Sequence, residues 1–419
     1  MVTVKKLSNG LRVVMEEIPY VRSISLGIWV KNGSVNESRE LNGISHFIEH
    51  MMFKGTAKRN ARDIAEEMDA VGGQINAYTT KEYTCYHTRM LDKHFDIAFD
   101  ILSDMFLNSK FSDEDILKER NVIIEEINMY EDEPEDMVHE ALQSEVWKGS
   151  SLGMPILGEV ATISKFNHEI IYRYYKENYR ADNTVISIAG NFKEKEMLEK
   201  FEAVFSKWNS GKRRNKEEKD VDYTSAITVK KKENEQLNAI IAFPCIKRDD
   251  PKKYAYTVFN TIFGGGMSSI LFQKIREEHG LTYSIYSYTS QYSKAGLFSI
   301  YAAMSPGQME KVFSLIFDEI RNLREEGISQ KVLDKTKEQI ISNFIIGSES
   351  TVNRMTSNGG GILLKDNILT IEEVIEKIEA VTLNDMRNII SELFDYSKMS
   401  ISAVGRIEKA DIEKIVNSI

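Results

Sequence analysis

The sequence predicts an α+β fold built twice. Two homologous domains, 1–211 and 222–419, each combine a mainly antiparallel sheet with packed helices. Three observations carry this prediction. Strand-like segments rich in β-branched and small residues are interleaved with segments of helical period. Pieces of the first half recur in the same order in the second. Between the halves lies NSGKRRNKEEKD, residues 209–220, which is charged, polar and aperiodic and reads as a linker. A chain of 419 residues also suits two cores better than one.

The start, MVTVKKLSNGLRVVMEEI, runs directly into strand, and SISLGIWVKNG follows as another strand rich in β-branched residues. LNGISHFIEHMMFKG reads as a helix ending at Gly55, and ARDIAEEMDAVGG as a second. QINAYTT and YTCYHTRML form an antiparallel pair. In FSDEDILKERNVIIEEINMYED, Ser112 is the N-cap of a helix, Asp113, Glu114 and Asp115 suit its first turn, and it stops before Pro134. Residues 178–205 give a strand, a glycine and an amphipathic helix, and 393–419 repeat that unit. SSILFQKIREEHG, LTYSIYSYT and AGLFSIYAAM repeat the helix–strand–strand order.

The helical stretch 94–127 recurs at 308–344. Setting Ser112 against Ser329 places Thr336 opposite Glu119 and Asn343 opposite Glu126. The second half therefore repeats the fold without that acidic pair. Each half is expected to close on its own core, so residues 1–211 alone should fold, or nearly so. Gly264–Gly266 and Gly359–Gly361 lack the Lys-Ser/Thr that a phosphate loop needs after its glycines, and they read as close packing or a hinge.

Within the first helix stands His46-Phe47-Ile48-Glu49-His50. On 3.6 residues per turn, the three polar side chains project from one face. Two neutral imidazoles at this spacing can grip one Zn²⁺, with the carboxylate beside the open coordination position. This is the inverted HExxH signature of zinc proteases. Catalytic zinc usually takes three protein ligands, so a third is expected elsewhere. The acidic run ERNVIIEEINMYEDE offers candidates. Glu119 and Glu126, nearly two turns apart, share a face with Ile123, whereas Val122, Glu125 and Met129 point elsewhere.

HFIEHMMFKGT followed by VIIEEI resembles the M16 zinc metallopeptidases, which include pitrilysin, insulin-degrading enzyme and the mitochondrial processing peptidases. The resemblance implies His46, His50 and Glu126 as zinc ligands and Glu49 as general base. Glu119 matches an additional family glutamate that supports the site from behind. Arg276…Tyr283, in REEHGLTY, resembles the family's Arg…Tyr pair, which contacts the substrate carbonyl; a guanidinium and a phenol there would stabilise the oxyanion. Read from the residues alone, the same segment is a helix end capped by Gly280 and followed by a strand. Asn76, Ala77, Tyr78 and Thr79 match the family's substrate-binding edge strand, to which an extended peptide could add. Family members of this size pair around a chamber, which implies a homodimer or a heterodimer with an inactive paralogue. The function implied is zinc-dependent endopeptidase action on short or unfolded peptides, presequence-like or basic ones included. The alternative is a catalytically silent peptide-binding or assembly subunit. Such subunits typically lose part of HxxEH or the glutamate, and this chain keeps them all.

The composition fits this reading. A hydrophobic share of 42% with 28% charged residues is that of a globular protein. No stretch approaches a membrane span, and no leader pattern opens the chain. Cys85 and Cys245 stand alone, which fits a reducing, cytoplasmic compartment. A net charge of −10 argues against nucleic-acid binding. Whether the surplus acid lines an interior, favouring basic peptides, or is spread over outer helices is left open by the sequence.

Overall fold

A computed structural model describes residues 2–210 and 221–417. Most of the predicted linker, residues 211–220, lies outside the described residues. The first half runs β1 (Val2–Lys6), β2 (Arg12–Glu17), β3 (Ser23–Val30), α1 (Ile44–Met52), α2 (Ala61–Ala70), β4 (Gln74–Thr79), β5 (Thr84–Leu91), α3 (Phe95–Asn108), α4 (Asp113–Asp132), α5 (Pro134–Val146), α6 (Val160–Ile163), α7 (His168–Asn178), β6 (Thr184–Gly190) and α8 (Glu194–Phe205). The second half runs β7 (Ile227–Lys231), β8 (Leu237–Pro244), α9 (Lys253–Phe263), a π-helical turn (Phe272–Glu278), β9 (Thr282–Gln291), β10 (Gly296–Met304), α10 (Met309–Glu326), α11 (Gln330–Gly347), α12 (Thr351–Lys365), α13 (Ile371–Glu379), α14 (Leu383–Leu393), β11 (Ser400–Gly405) and α15 (Lys409–Val416).

The two sheets show the repeat. The first is ordered β1-β2-β6-β3-β5-β4 and the second β7-β11-β8-β10-β9. Apart from the extra β1, strand follows corresponding strand. One parallel pair occurs in each, β2 with β6 and β7 with β11, and the other pairings are antiparallel. Edge strand β4 thus corresponds to edge strand β9. Thr336 is buried where the first half has buried Glu119, and Asn343, the counterpart of Glu126, is exposed.

The compact units do not coincide with 1–211 and 222–419. One comprises Met1–Ile127, Met154–Glu217 and Ile345–Leu369; the other comprises Asn128–Gly153, Glu218–Phe344 and Thr370–Ile419. The chain leaves its unit near the end of α4 in the first half and near the end of α11 in the second, at corresponding points of the repeat. Each half therefore lends the other a helical segment.

In the first unit, one sheet face carries Val13, Met15, Leu26, Ile28, Tyr86 and Ile186 against α1, α3, α4, α7 and α8. The opposite face presents Val14, Trp29, Cys85, Val185 and Ala189 to Met355, Ile362 and Leu363 of α12. Burial on both faces explains why SISLGIWV is almost continuously apolar. The face under α12 is lined with small residues. Ser25 Oγ lies 2.9 Å from Thr351 Oγ1, and Ser187 Oγ donates to Met355 O at 2.7 Å. A Cβ on Gly359 would meet the Trp29 indole at 2.6 Å, so this glycine run serves close helix-on-sheet packing. Glu16, buried on β2, pairs with Arg354 and accepts from Asn358 Nδ2 at 2.8 Å, fixing the register of α12.

In the second unit, α5 lies on β8 and β11. There His139 stacks on Tyr301, with ring centroids 5.6 Å apart, and Glu135 accepts from Tyr286 Oη at 2.9 Å. No helix among the described residues is long and apolar enough to cross a membrane.

Candidate metal centre

Helix α1 carries His46, Glu49 and His50, and α4 carries Glu119 and Glu126. Apolar residues fix both helices: Phe47, Ile48, Met51 and Met52 on α1, and Ile116, Ile123 and Ile127 on α4, are buried in one core. Ser112 Oγ accepts the Asp115 N–H at 3.2 Å, capping α4.

The packing brings His46, His50 and Glu126 together, with one donor atom from each within 4.8 Å of the others. Glu126 Oε2 lies 3.8 Å from His46 Nε2 and 3.5 Å from His50 Nε2. Two tetrahedral ligands of one zinc lie about 3.4 Å apart at ordinary bond lengths. The donor set therefore fits Zn²⁺. Glu125 is exposed on another side of α4.

The surrounding electrostatics favour the same state. Burial, with the neighbouring His50, pushes the His46 imidazole down to about 3 and keeps it neutral, as a metal ligand must be. Burial raises the Glu126 carboxyl, which opposes its ionisation, and a bound cation would offset that. Glu119 Oε1 lies 3.0 Å from His50 Nδ1, which fixes the ring so that Nε2 faces Glu126. Burial would raise Glu119, but its bonds to His50 and Lys54 hold it below the usual carboxylate range. The Lys54 ammonium lies 2.5 Å from Glu119 Oε2. Lys54 went unread in the sequence, although it stands one turn beyond His50.

Glu49 turns toward the edge strand, where the Thr79 hydroxyl donates to Oε2 at 2.5 Å. Burial raises its carboxyl, with the Thr79 bond opposing. Thr79 therefore spends its hydroxyl on Glu49. Strand alternation divides the four predicted substrate-strand residues. Ala77 and Thr79 lie on the α1 side, Tyr78 packs with Trp29 on the α12 side, and Asn76 is exposed with Oδ1 accepting the Ala77 N–H at 2.8 Å.

In the second unit, the π-helical turn carries Arg276, followed by Gly280 at a φ of 61° and then β9. The Arg276 guanidinium lies 5.1 Å from the centroid of the Tyr283 ring and 4.6 Å from that of Phe272. Tyr283 is exposed.

Residues 12–160 match the family described as Insulinase (Peptidase family M16), and residues 165–340 match the Peptidase M16 inactive domain. An uncharacterized zinc protease of Bacillus subtilis, YmxG, is 40% identical over 401 residues, covering 95% of this chain and 98% of its own. One from Streptomyces coelicolor is 34% identical, covering 99% and 91%. Among solved structures, a protease from Helicobacter pylori superposes with a TM-score of 0.91 at 19% identity, covering 97% and 99%. A peptidase M16 inactive domain from Pseudomonas fluorescens gives 0.90, also at 19%, covering 97% and 98%. The structural likenesses concern the fold alone.

Proposed function

Because the chain belongs to the M16, or insulinase, family of peptidases, we propose that it is a zinc-dependent endopeptidase cleaving short or unfolded peptides, presequence-like or basic ones included, in a closed chamber. The carrying observation is the meeting of His46, His50 and Glu126 from two helices, with Glu49 beside them but bonded to Thr79. His46, His50 and Glu126 would hold the metal as a three-ligand set. When bound, zinc acidifies water and polarises a carbonyl.

Glu49 takes the proton of the attacking water and hands it to the departing amine, and burial, by raising its carboxyl, makes it a stronger base. The Thr79 hydroxyl holds its carboxylate in place. Arg276 and Tyr283, stacked as a unit, polarise the scissile carbonyl and stabilise the oxyanion. The open edge of β4 accepts the peptide as an added strand, with main-chain hydrogen bonds giving a loose sequence preference. The chain works in a reducing compartment, the cytoplasm, as a homodimer or with an inactive paralogue. Unpaired Cys85 and Cys245 support the compartment.

Mass-spectrometric digestion of a peptide library, with metal-stripped protein as control, tests this reading. Metal-dependent cleavage is expected. A zinc-loaded chain that cleaves nothing would favour the silent peptide-binding subunit. Glu126→Gln should weaken zinc binding at least about tenfold, and Glu125→Gln should not. Equal loss in both variants would remove Glu126 as the ligand. Tyr283→Phe should lower kcat by roughly ten- to a thousandfold without loss of zinc. An unchanged kcat would remove Tyr283 from the transition state.

A further inference from the structure

The helix that presents His46 begins without a capping side chain. Its N-cap is Gly43, left-handed at a φ of 94°. A Cβ there would meet Leu157 O at 2.6 Å, so a capping residue has no room. The first-turn N–H groups still need acceptors. Glu37 supplies them from outside the helix. Its Oε2 accepts the Gly43 N–H at 2.8 Å and Asn42 Nδ2–H at 3.0 Å, and its Oε1 accepts the Ser45 N–H at 2.8 Å.

Glu37 is buried, and burial pushes its carboxyl up to about 7 although those donors pull it down. An acid in that place costs solvation that an apolar packing residue would not. Ser45 is held on its other side as well. Its hydroxyl accepts from Asn32 Nδ2 at 3.0 Å, and Asn32 Oδ1 accepts from Tyr174 Oη at 3.1 Å.

The two histidines differ in what orients them. His50 is set through its ring by Glu119. His46 Nδ1 is buried with no hydrogen-bond partner among the described residues. With no bond at Nδ1, the His46 ring is held by packing, the His50 ring lying 4.5 Å away, and by the backbone of the first turn, where its neighbour Ser45 is tied to Glu37.

We propose that Glu37 is a positioning residue of the metal centre, fixing the first turn of α1 and thereby the angle at which His46 presents Nε2 toward Glu126. This rests on the zinc reading of that cluster. Glutamine at 37 keeps the shape but has one acceptor oxygen, so its NH₂ must face one of the two helix N–H donors.

The test compares wild type and Glu37→Gln for Zn²⁺ affinity by chelator competition, for the visible spectrum of the Co²⁺-loaded chain, and for thermal unfolding of the metal-stripped chain. Glu37→Gln is expected to stay folded, to bind Zn²⁺ about 10- to 100-fold more weakly and to shift the Co²⁺ bands. Lower thermal stability with unchanged affinity and spectrum would overturn the proposal and leave Glu37 a fold residue. If Glu37→Gln does not fold, Glu37→Asp decides, since it keeps the carboxylate but draws it back from the Gly43 and Ser45 N–H groups. A several-fold weaker Zn²⁺ affinity supports the proposal, and an unchanged one overturns it. No peptidase activity enters these readouts. A wild-type chain that binds zinc but cleaves nothing would sink the proposed function alone, and one that binds no zinc would sink the metal reading and this proposal with it.

Discussion

Glu49→Gln is expected to keep about one zinc per chain and to lose peptide cleavage by roughly 10²- to 10⁴-fold. Glu49 lies outside the cluster of His46, His50 and Glu126, so its replacement leaves the three donors intact. Glutamine is nearly isosteric, and its amide oxygen still accepts from the Thr79 hydroxyl, so the helix and edge strand stay tied. The variant loses only the ability to take and return a proton. Zinc content by mass spectrometry and turnover of a quenched peptide check both halves of this expectation. Near-normal turnover would assign proton transfer to another group.

Residues 1–211 expressed alone are expected to fail as a stable fold, contrary to what the linear repeat suggests. They lack α12, which belongs to the first compact unit. Without it, Val14, Trp29, Cys85, Val185 and Ala189 lose Met355, Ile362 and Leu363 as cover. Glu16 also loses Arg354 and Asn358. A buried carboxylate stripped of its partner costs about 3–5 kcal/mol. With the uncovered apolar face added, that loss rivals the whole stability of a domain, about 5–15 kcal/mol. The fragment should bind a hydrophobic dye and melt without a cooperative transition. Adding residues 222–419, which bring α12, should restore cooperativity. A sharp melt of the fragment within a few degrees of the full chain would contradict this.

The parts legible in the sequence are those written in local spacing. HxxEH places three side chains on one helical face, and the Glu119–Glu126 interval does the same on α4, so the geometry of the cluster followed once the two helices met. The helix–strand–strand order of the repeat was legible because runs of β-branched and aromatic residues mark β4, β5, β9 and β10. Three things were not legible. The bond from Thr79 to Glu49 joins a strand residue to a helix residue thirty positions away, and no periodicity encodes such a contact. Lys54 and Glu37 looked like ordinary charged residues, because burial rather than spacing gives them their roles. The exchange of helical segments was hidden for the same reason. TVNRMTSNGGGILLK has a helical pattern whichever sheet it covers, and the fit of Gly359 against Trp29, with the pairing of Glu16 to Arg354 and Asn358, selects one.

That exchange also sets an order of events during synthesis. The first unit contains the metal cluster, yet its last segment is Ile345–Leu369. A ribosome adding about 5–20 residues per second needs on the order of ten seconds to travel from the end of α8 through α12. During that interval the face of Trp29 and Val185 has no native cover. The nascent first half must wait, partly open, for chain that belongs by sequence to the second. Contacts so distant along the chain also slow the folding search. The newborn chain thus has a window in which it is exposed to chaperones and to aggregation, and the unit that holds its metal cluster is completed only after most of the second half has emerged.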